Sequence, residues 1–119
     1  MKKIVIILLL SSIASCANTE NNKLIVGNWS ANEWLIDGNP SNRDTEGTHF
    51  TFDDKANYTF SYSGTVEKGT YKVENNMLFT KPDNQQEIMV KITKLTTDSL
   101  VFDMNRSGTA EILTLLKDK

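Results

Sequence analysis

The chain has 119 residues, 39% of them hydrophobic, which suffices for one small apolar core and no second domain. Its 13 basic and 15 acidic side chains are interspersed, without the basic stripe that tracks phosphates or the polybasic run that holds anionic lipid, which argues against nucleic acid. One cysteine, Cys16, rules out an intramolecular disulfide and a cysteine-based metal cluster, and one histidine, His49, rules out a multi-histidine metal site.

Met1-Lys2-Lys3 is a short basic start, Ile4 to Leu10 is an unbroken apolar run, and Ser11 to Ser15 is a small-residue exit. This order predicts a cleaved secretory signal peptide over residues 1–15. The apolar run is too short to span a bilayer, for which about twenty residues are needed. Ile13-Ala14-Ser15-Cys16 resembles the bacterial lipobox. That resemblance implies cleavage before Cys16, a diacylglycerol on its sulfur and an acylated amino terminus carrying palmitate-type chains. At about 0.8 kcal/mol per buried methylene, two or three chains make a lasting membrane anchor. Lys2 and Lys3 leave with the signal, so the remainder carries 11 basic against 15 acidic side chains and depends on lipid for attachment. The expected location is the cell envelope. Ala17, where the likeness to lipoprotein sorting rules would put Asp for inner-membrane retention, points to the outer membrane, with the leaflet left open. Residues 16–23, polar and Asn-rich, are expected to be the lipidated N-terminus and a flexible tether.

From Leu24 onward the sequence falls into eight short β-like runs and no convincing helix. They are Leu24 to Ile36, Thr48 to Asp53, Tyr58 to Ser63, Gly69 to Glu74, Met77 to Thr80, Glu87 to Leu95, Ser99 to Met104 and Thr109 to Lys117. Turn formers separate them, among them Asp37-Gly38-Asn39-Pro40, Ser63-Gly64, Glu74-Asn75-Asn76 and Pro82-Asp83-Asn84. Alternation puts Phe50 with Phe52, Tyr58 with Phe60 and Tyr62, and Tyr71 with Val73 on one face, against polar Thr51, Thr59, Ser61 and Lys72 on the other. An eight-stranded antiparallel meander removes its edges most simply by closing into an up-and-down barrel. The longest connection, Asp37 to Gly47, holds Arg43, Asp44 and Glu46 and is either a lid over the barrel mouth or a solvated loop.

Leu24-Ile25-Val26-Gly27-Asn28-Trp29 resembles the opening of lipocalins. It is closer still to the lipocalin-like domains of small lipoproteins common in Bacteroidetes. In those domains such a strand is followed by an aromatic hairpin around an acidic turn, as in Phe50-Thr51-Phe52-Asp53-Asp54-Lys55-Ala56-Asn57-Tyr58-Thr59-Phe60. A Gly-x-Tyr strand then follows, as in Gly69-Thr70-Tyr71. The resemblance covers residues 24–117 and implies a small lipocalin-like barrel over residues 24–119. It gives Gly27 and Trp29 a structural role. In lipocalins the Trp plugs the closed end under a basic residue of the final strand, commonly Arg; the last strand here offers Lys117. Ligand transport does not follow from the fold alone.

Candidate chemistry is sparse. His49 is expected on the solvent side, with no nucleophile-elbow motif near it, and no catalytic residue is assigned. Asp53 and Asp54 are neighbours in a turn, so they do not face one another as an acid/base pair must, and the stretch lacks the Gly and terminal Glu of a calcium loop. No metal, no cofactor and no enzymatic activity are expected. Asp98-Ser99-Leu100 resembles the short O-glycosylation motif of Bacteroidetes exported proteins. The aromatics carry the main signal: Trp34, Tyr58, Phe60, Tyr62 and Tyr71 are the candidate ligand-binding residues, since Tyr and Trp line apolar pockets while offering polar tips. The same rings equally fill a small barrel without a cavity. Two readings follow. One is a membrane-anchored binding module for a small apolar or amphipathic ligand or an envelope partner. The other is a filled-barrel structural or interaction lipoprotein.

Overall fold

The computed structural model describes residues 20–106 and 108–119. The expected signal peptide, Cys16 and the first residues of the expected tether lie outside them. Nine antiparallel strands follow in chain order: β1 (Gly27–Ile36), β2 (Asn39–Pro40), β3 (Thr48–Phe52), β4 (Asn57–Tyr62), β5 (Thr65–Glu74), β6 (Met77–Pro82), β7 (Ile88–Leu95), β8 (Ser99–Arg106) and β9 (Thr109–Lys117). From β3 to β9 each strand pairs with the next, β1 pairs with β3, and β1 also pairs with β9, from Trp29↔Lys117 to Ile36↔Glu111. The sheet is therefore a closed eight-stranded barrel with the lipocalin-like up-and-down order. The two-residue β2 is appended to the end of β1.

Tight turns set the register. Asp37-Gly38, Ser63-Gly64 and Asn75-Asn76 all have positive φ at both central positions, the conformation whose twist matches a two-residue hairpin. The Ser63-Gly64 turn starts β5 at Thr65, four residues before the expected run at Gly69. The delay in the sequence reading has a physical cause: here the apolar Val66 faces water, 62% exposed, while Glu67 points inward. Between Ala31 and Glu33 a β-bulge shifts the register of β1. Trp29 and Trp34 are an odd number of residues apart, and the extra residue lets both face the lumen.

Two further expectations are corrected. Residues 20–25 are helical, so the tether ends in a helix and β1 begins at Gly27, not Leu24. This helix lies at one end of the barrel, where Asn22 Nδ2 donates to the Val73 carbonyl at 3.2 Å and Ile25 is fully buried. Below Ile25, Trp29 is also fully buried and its indole N–H donates to the Ile25 carbonyl at 2.8 Å. Lys117 lies 5.0 Å above the Trp29 ring and donates to the Leu24 carbonyl at 3.3 Å. Lysine thus performs here what arginine commonly does in lipocalins. Glycine is required at position 27 by its φ of +142°, and a β-carbon there would also push on the end of the Lys117 side chain, 2.8 Å from Cε. Phe52, Leu100 and Leu115 complete a solid packing of this closed end.

Candidate functional site

The opposite end of the barrel is built differently. It is rimmed by the 41–47 connection after β2 and by the β4–β5, β6–β7 and β8–β9 turns. Just inside is a cavity of about 140 Å³, whose wall includes Trp34, Phe50, Tyr58, Phe60, Val90 and Met104. Ile88 belongs to this wall and is 48% exposed, so the cavity opens to solvent where β7 begins. Stacked Phe50 and Phe60 rings, with centroids 4.5 Å apart, separate it from Phe52 and the closed half.

One polar constellation interrupts this apolar wall, and a second lies beside it behind Trp34. At the first, the Tyr58 hydroxyl donates to Glu67 Oε2 at 2.7 Å, with buried Thr80 alongside. Burial, then the neighbouring Glu67 carboxylate, push the Tyr58 phenol far above its ordinary pKa, so it stays a hydrogen-bond donor throughout the physiological range. At the second, the Trp34 indole N–H donates to Oε1 of the buried Glu111 at 2.9 Å. Arg43 reaches down from the 41–47 connection to the same oxygen at 3.8 Å and lies 5.5 Å from the Trp34 ring centroid. Asp44 anchors the base of this connection, accepting from Gly47 N and from the Ser63 hydroxyl, both at 3.0 Å. The segment read as a lid or a loop therefore folds against the rim at Trp34 and Glu111 and is held there by side chains.

Of the five aromatic residues singled out by sequence, Trp34, Tyr58 and Phe60 share the cavity wall. Tyr62 stands outside it, edge-on to Trp34 at 5.9 Å and facing the hollow beneath Arg43. Tyr71 stands away from this cavity, beside the hollow of about 460 Å³ next to the 20–25 helix. It packs against Phe52 in the closed half, and its hydroxyl donates to the Asp53 carbonyl at 2.6 Å. Burial, then the charges of Asp53 and Asp54, push its phenol up to about 12. Tyr71 lies two residues beyond Gly69 along β5, toward the β5–β6 turn of the closed end, and its ring turns to Phe52 and the 53–57 turn. Glu67 is the site residue that composition and motif did not suggest. Period-two counting back from Val73, Tyr71 and Gly69 would have found it.

On the outer wall, Ser30, His49 and Asp118 come together. Ser30 Oγ lies 3.0 Å from His49 Nδ1 and donates to Asp118 Oδ1 at 2.6 Å. This is the wrong order for nucleophilic catalysis, because the acid holds the serine rather than the imidazole, and both contacts are exposed. Asp53 Oδ1 accepts from Lys55 N and Asn57 N, which builds the 53–57 turn as a turn. Among the described residues no three His, Cys, Asp or Glu side chains group as a metal site. Hollows of about 460 Å³ beside the helix and about 500 Å³ beneath Arg43 lie outside the lumen and are open to solvent.

A closed barrel with a Trp-plugged floor and a small aromatic chamber toward its open end defines a lipocalin-like protein. The lipocalin-like domain family model matches residues 25–102, and the chain belongs to that family. The crystal structure of a lipocalin-like protein from Bacteroides uniformis superposes with a TM-score of 0.56 at 15% identity, covering 75% of this chain and 96% of that one. No curated protein matches the sequence.

Proposed function

We propose that this chain is a lipid-anchored lipoprotein of the cell envelope, attached through Cys16 at the outer membrane. Its barrel is a binding module that takes a small apolar or amphipathic molecule through the open mouth. The observation that carries the reading is the chamber of about 140 Å³, apolar and aromatic on most sides with polar groups where Tyr58, Glu67 and Thr80 meet. A few fixed polar groups in an otherwise apolar concavity are the general form of a small-molecule site. The volume falls below the roughly 300–1,000 Å³ typical of drug-sized ligands, so the occupant is small. The chain enters the barrel at its closed end through the 20–25 helix. A lipid on Cys16 therefore holds that end toward the bilayer and leaves the mouth facing away. No enzymatic activity is part of this proposal.

The second reading, a filled barrel that docks an envelope partner and holds no small ligand, draws on the same volume, since most of the lumen is occupied by side chains. Native mass spectrometry of the protein extracted from its own host's membranes separates the two and tests the anchor. We expect a mass that begins at Cys16 and includes acyl chains, together with a stoichiometric small molecule. An unmodified amino terminus would overturn the anchor. A clean unliganded mass, with no thermal shift against a metabolite and lipid panel, would leave the filled barrel.

A further inference from the structure

The two carboxylates facing the lumen are treated differently by the fold. Glu111 has a cation, Arg43, brought to it by the lid. Among the described residues the ion pairs are Arg43–Glu111 and Lys72–Glu74, and neither involves Glu67. Among the described residues, none that lines the chamber is Lys, Arg or His. Glu67 receives one hydrogen bond, from Tyr58 to Oε2. This bond fixes the orientation of the carboxylate without neutralising it. A carboxylate set in an apolar wall is poorly solvated, and a cation is the partner that offsets this cost best. The surrounding rings favour the same partner, because aromatic faces attract a desolvated ammonium.

We infer that the chamber selects a small organic cation, an amine or ammonium compound with a short apolar body, for which Glu67 is the counter-ion and Trp34, Phe50 and Phe60 are the apolar and π surroundings. The inference rests on the binding-module reading and adds the charge of the ligand to it. A space of about 140 Å³ has no room for the two chains of a phospholipid, so the cation is a free small molecule rather than a lipid headgroup.

The test is a titration of the purified full-length protein with three probes of equal length, hexylammonium, 1-hexanol and hexanoate, followed by NMR at the Leu78, Val90 and Leu113 methyls. An ionic hydrogen bond to Glu67 in place of a neutral one predicts that hexylammonium binds about tenfold tighter than 1-hexanol, with hexanoate weakest. In Glu67→Gln, which keeps an acceptor for Tyr58, we expect the amine preference to shrink to within about threefold while hexanol binding persists. Equal or tighter binding of hexanol or hexanoate to the unaltered protein would overturn the charge assignment and leave the binding module standing. If none of the three moves the chamber methyls, the binding module falls and the inference with it. The comparison of probes on the unaltered protein decides the matter even where the variant folds poorly.

Discussion

The two ends of this barrel use the same ingredients, a tryptophan, a basic side chain and a segment from outside the β-meander, to opposite effect. At the closed end Trp29 is fully buried, its N–H satisfied by the Ile25 backbone, and Lys117 seals it from the last strand. At the mouth Trp34 hydrogen-bonds a carboxylate instead, and the cation above it, Arg43, sits on a long connection with its side chain 38% exposed. The first arrangement ties strand to helix through core packing and backbone acceptors. The second ties a loop to the rim through a half-exposed cation 3.8 Å from a buried carboxylate, a long contact that side-chain entropy weakens. Stability therefore concentrates at the floor, and adaptability is left to the mouth.

The sharpest way to break this contrast is Trp29→Ala, which empties a fully packed site and should cost about 3–5 kcal/mol in chemical denaturation. An unchanged midpoint would deny Trp29 its role as the plug. Arg43→Ala should cost at most about 1 kcal/mol, because it removes one partly exposed cation at long range while the Trp34 N–H continues to serve the buried Glu111. It should, however, raise the fraction of Trp emission open to acrylamide, as Trp34 loses its cover and Trp29 does not. A loss of stability as large as that of Trp29→Ala would show the mouth to be as rigid as the floor.

The smallest expected effect is at the 53–57 turn by the floor. Backbone hydrogen bonds from Asn57 and Lys55 hold the Asp53 carboxyl below its ordinary 3.8. A carboxyl depressed in the folded state adds stability above its unfolded pKa and loses it as pH falls through the lower folded value. Melting temperatures of Asp53→Asn and the unaltered protein should therefore differ at neutral pH and converge in acid. A gap that stays constant down to pH 2 would remove the carboxylate from the turn's energetics.

Much of the wall was legible in the residues. Phe50 and Phe52, or Tyr58 and Phe60, announce their shared face by strict alternation, and Asp37-Gly38, Ser63-Gly64 and Asn75-Asn76 announce the turns that join the strands. The site was legible only in part. Trp34, Tyr58 and Phe60 stand out as large amphipathic rings, but nothing local distinguishes them from Tyr71, which lies in the closed half. Glu67 was hidden because β5 reverses the usual pattern at its start, with Val66 outside and Glu67 inside.

By itself the sequence determined that the chain is all-β, roughly where its strands turn, and that Gly27 and Trp29 open a lipocalin-like barrel. These are properties of local conformation and period-two patterning, which neighbouring residues settle among themselves. Only the tertiary structure decided that Lys117 seals Trp29, that a bulge turns Trp34 inward, that Arg43 reaches Glu111 and that Glu67 stands in the wall of an aromatic chamber. Each of these depends on strand register around a closed barrel, where residues as far apart as Trp34 and Glu111 become neighbours only once β1 has met β9.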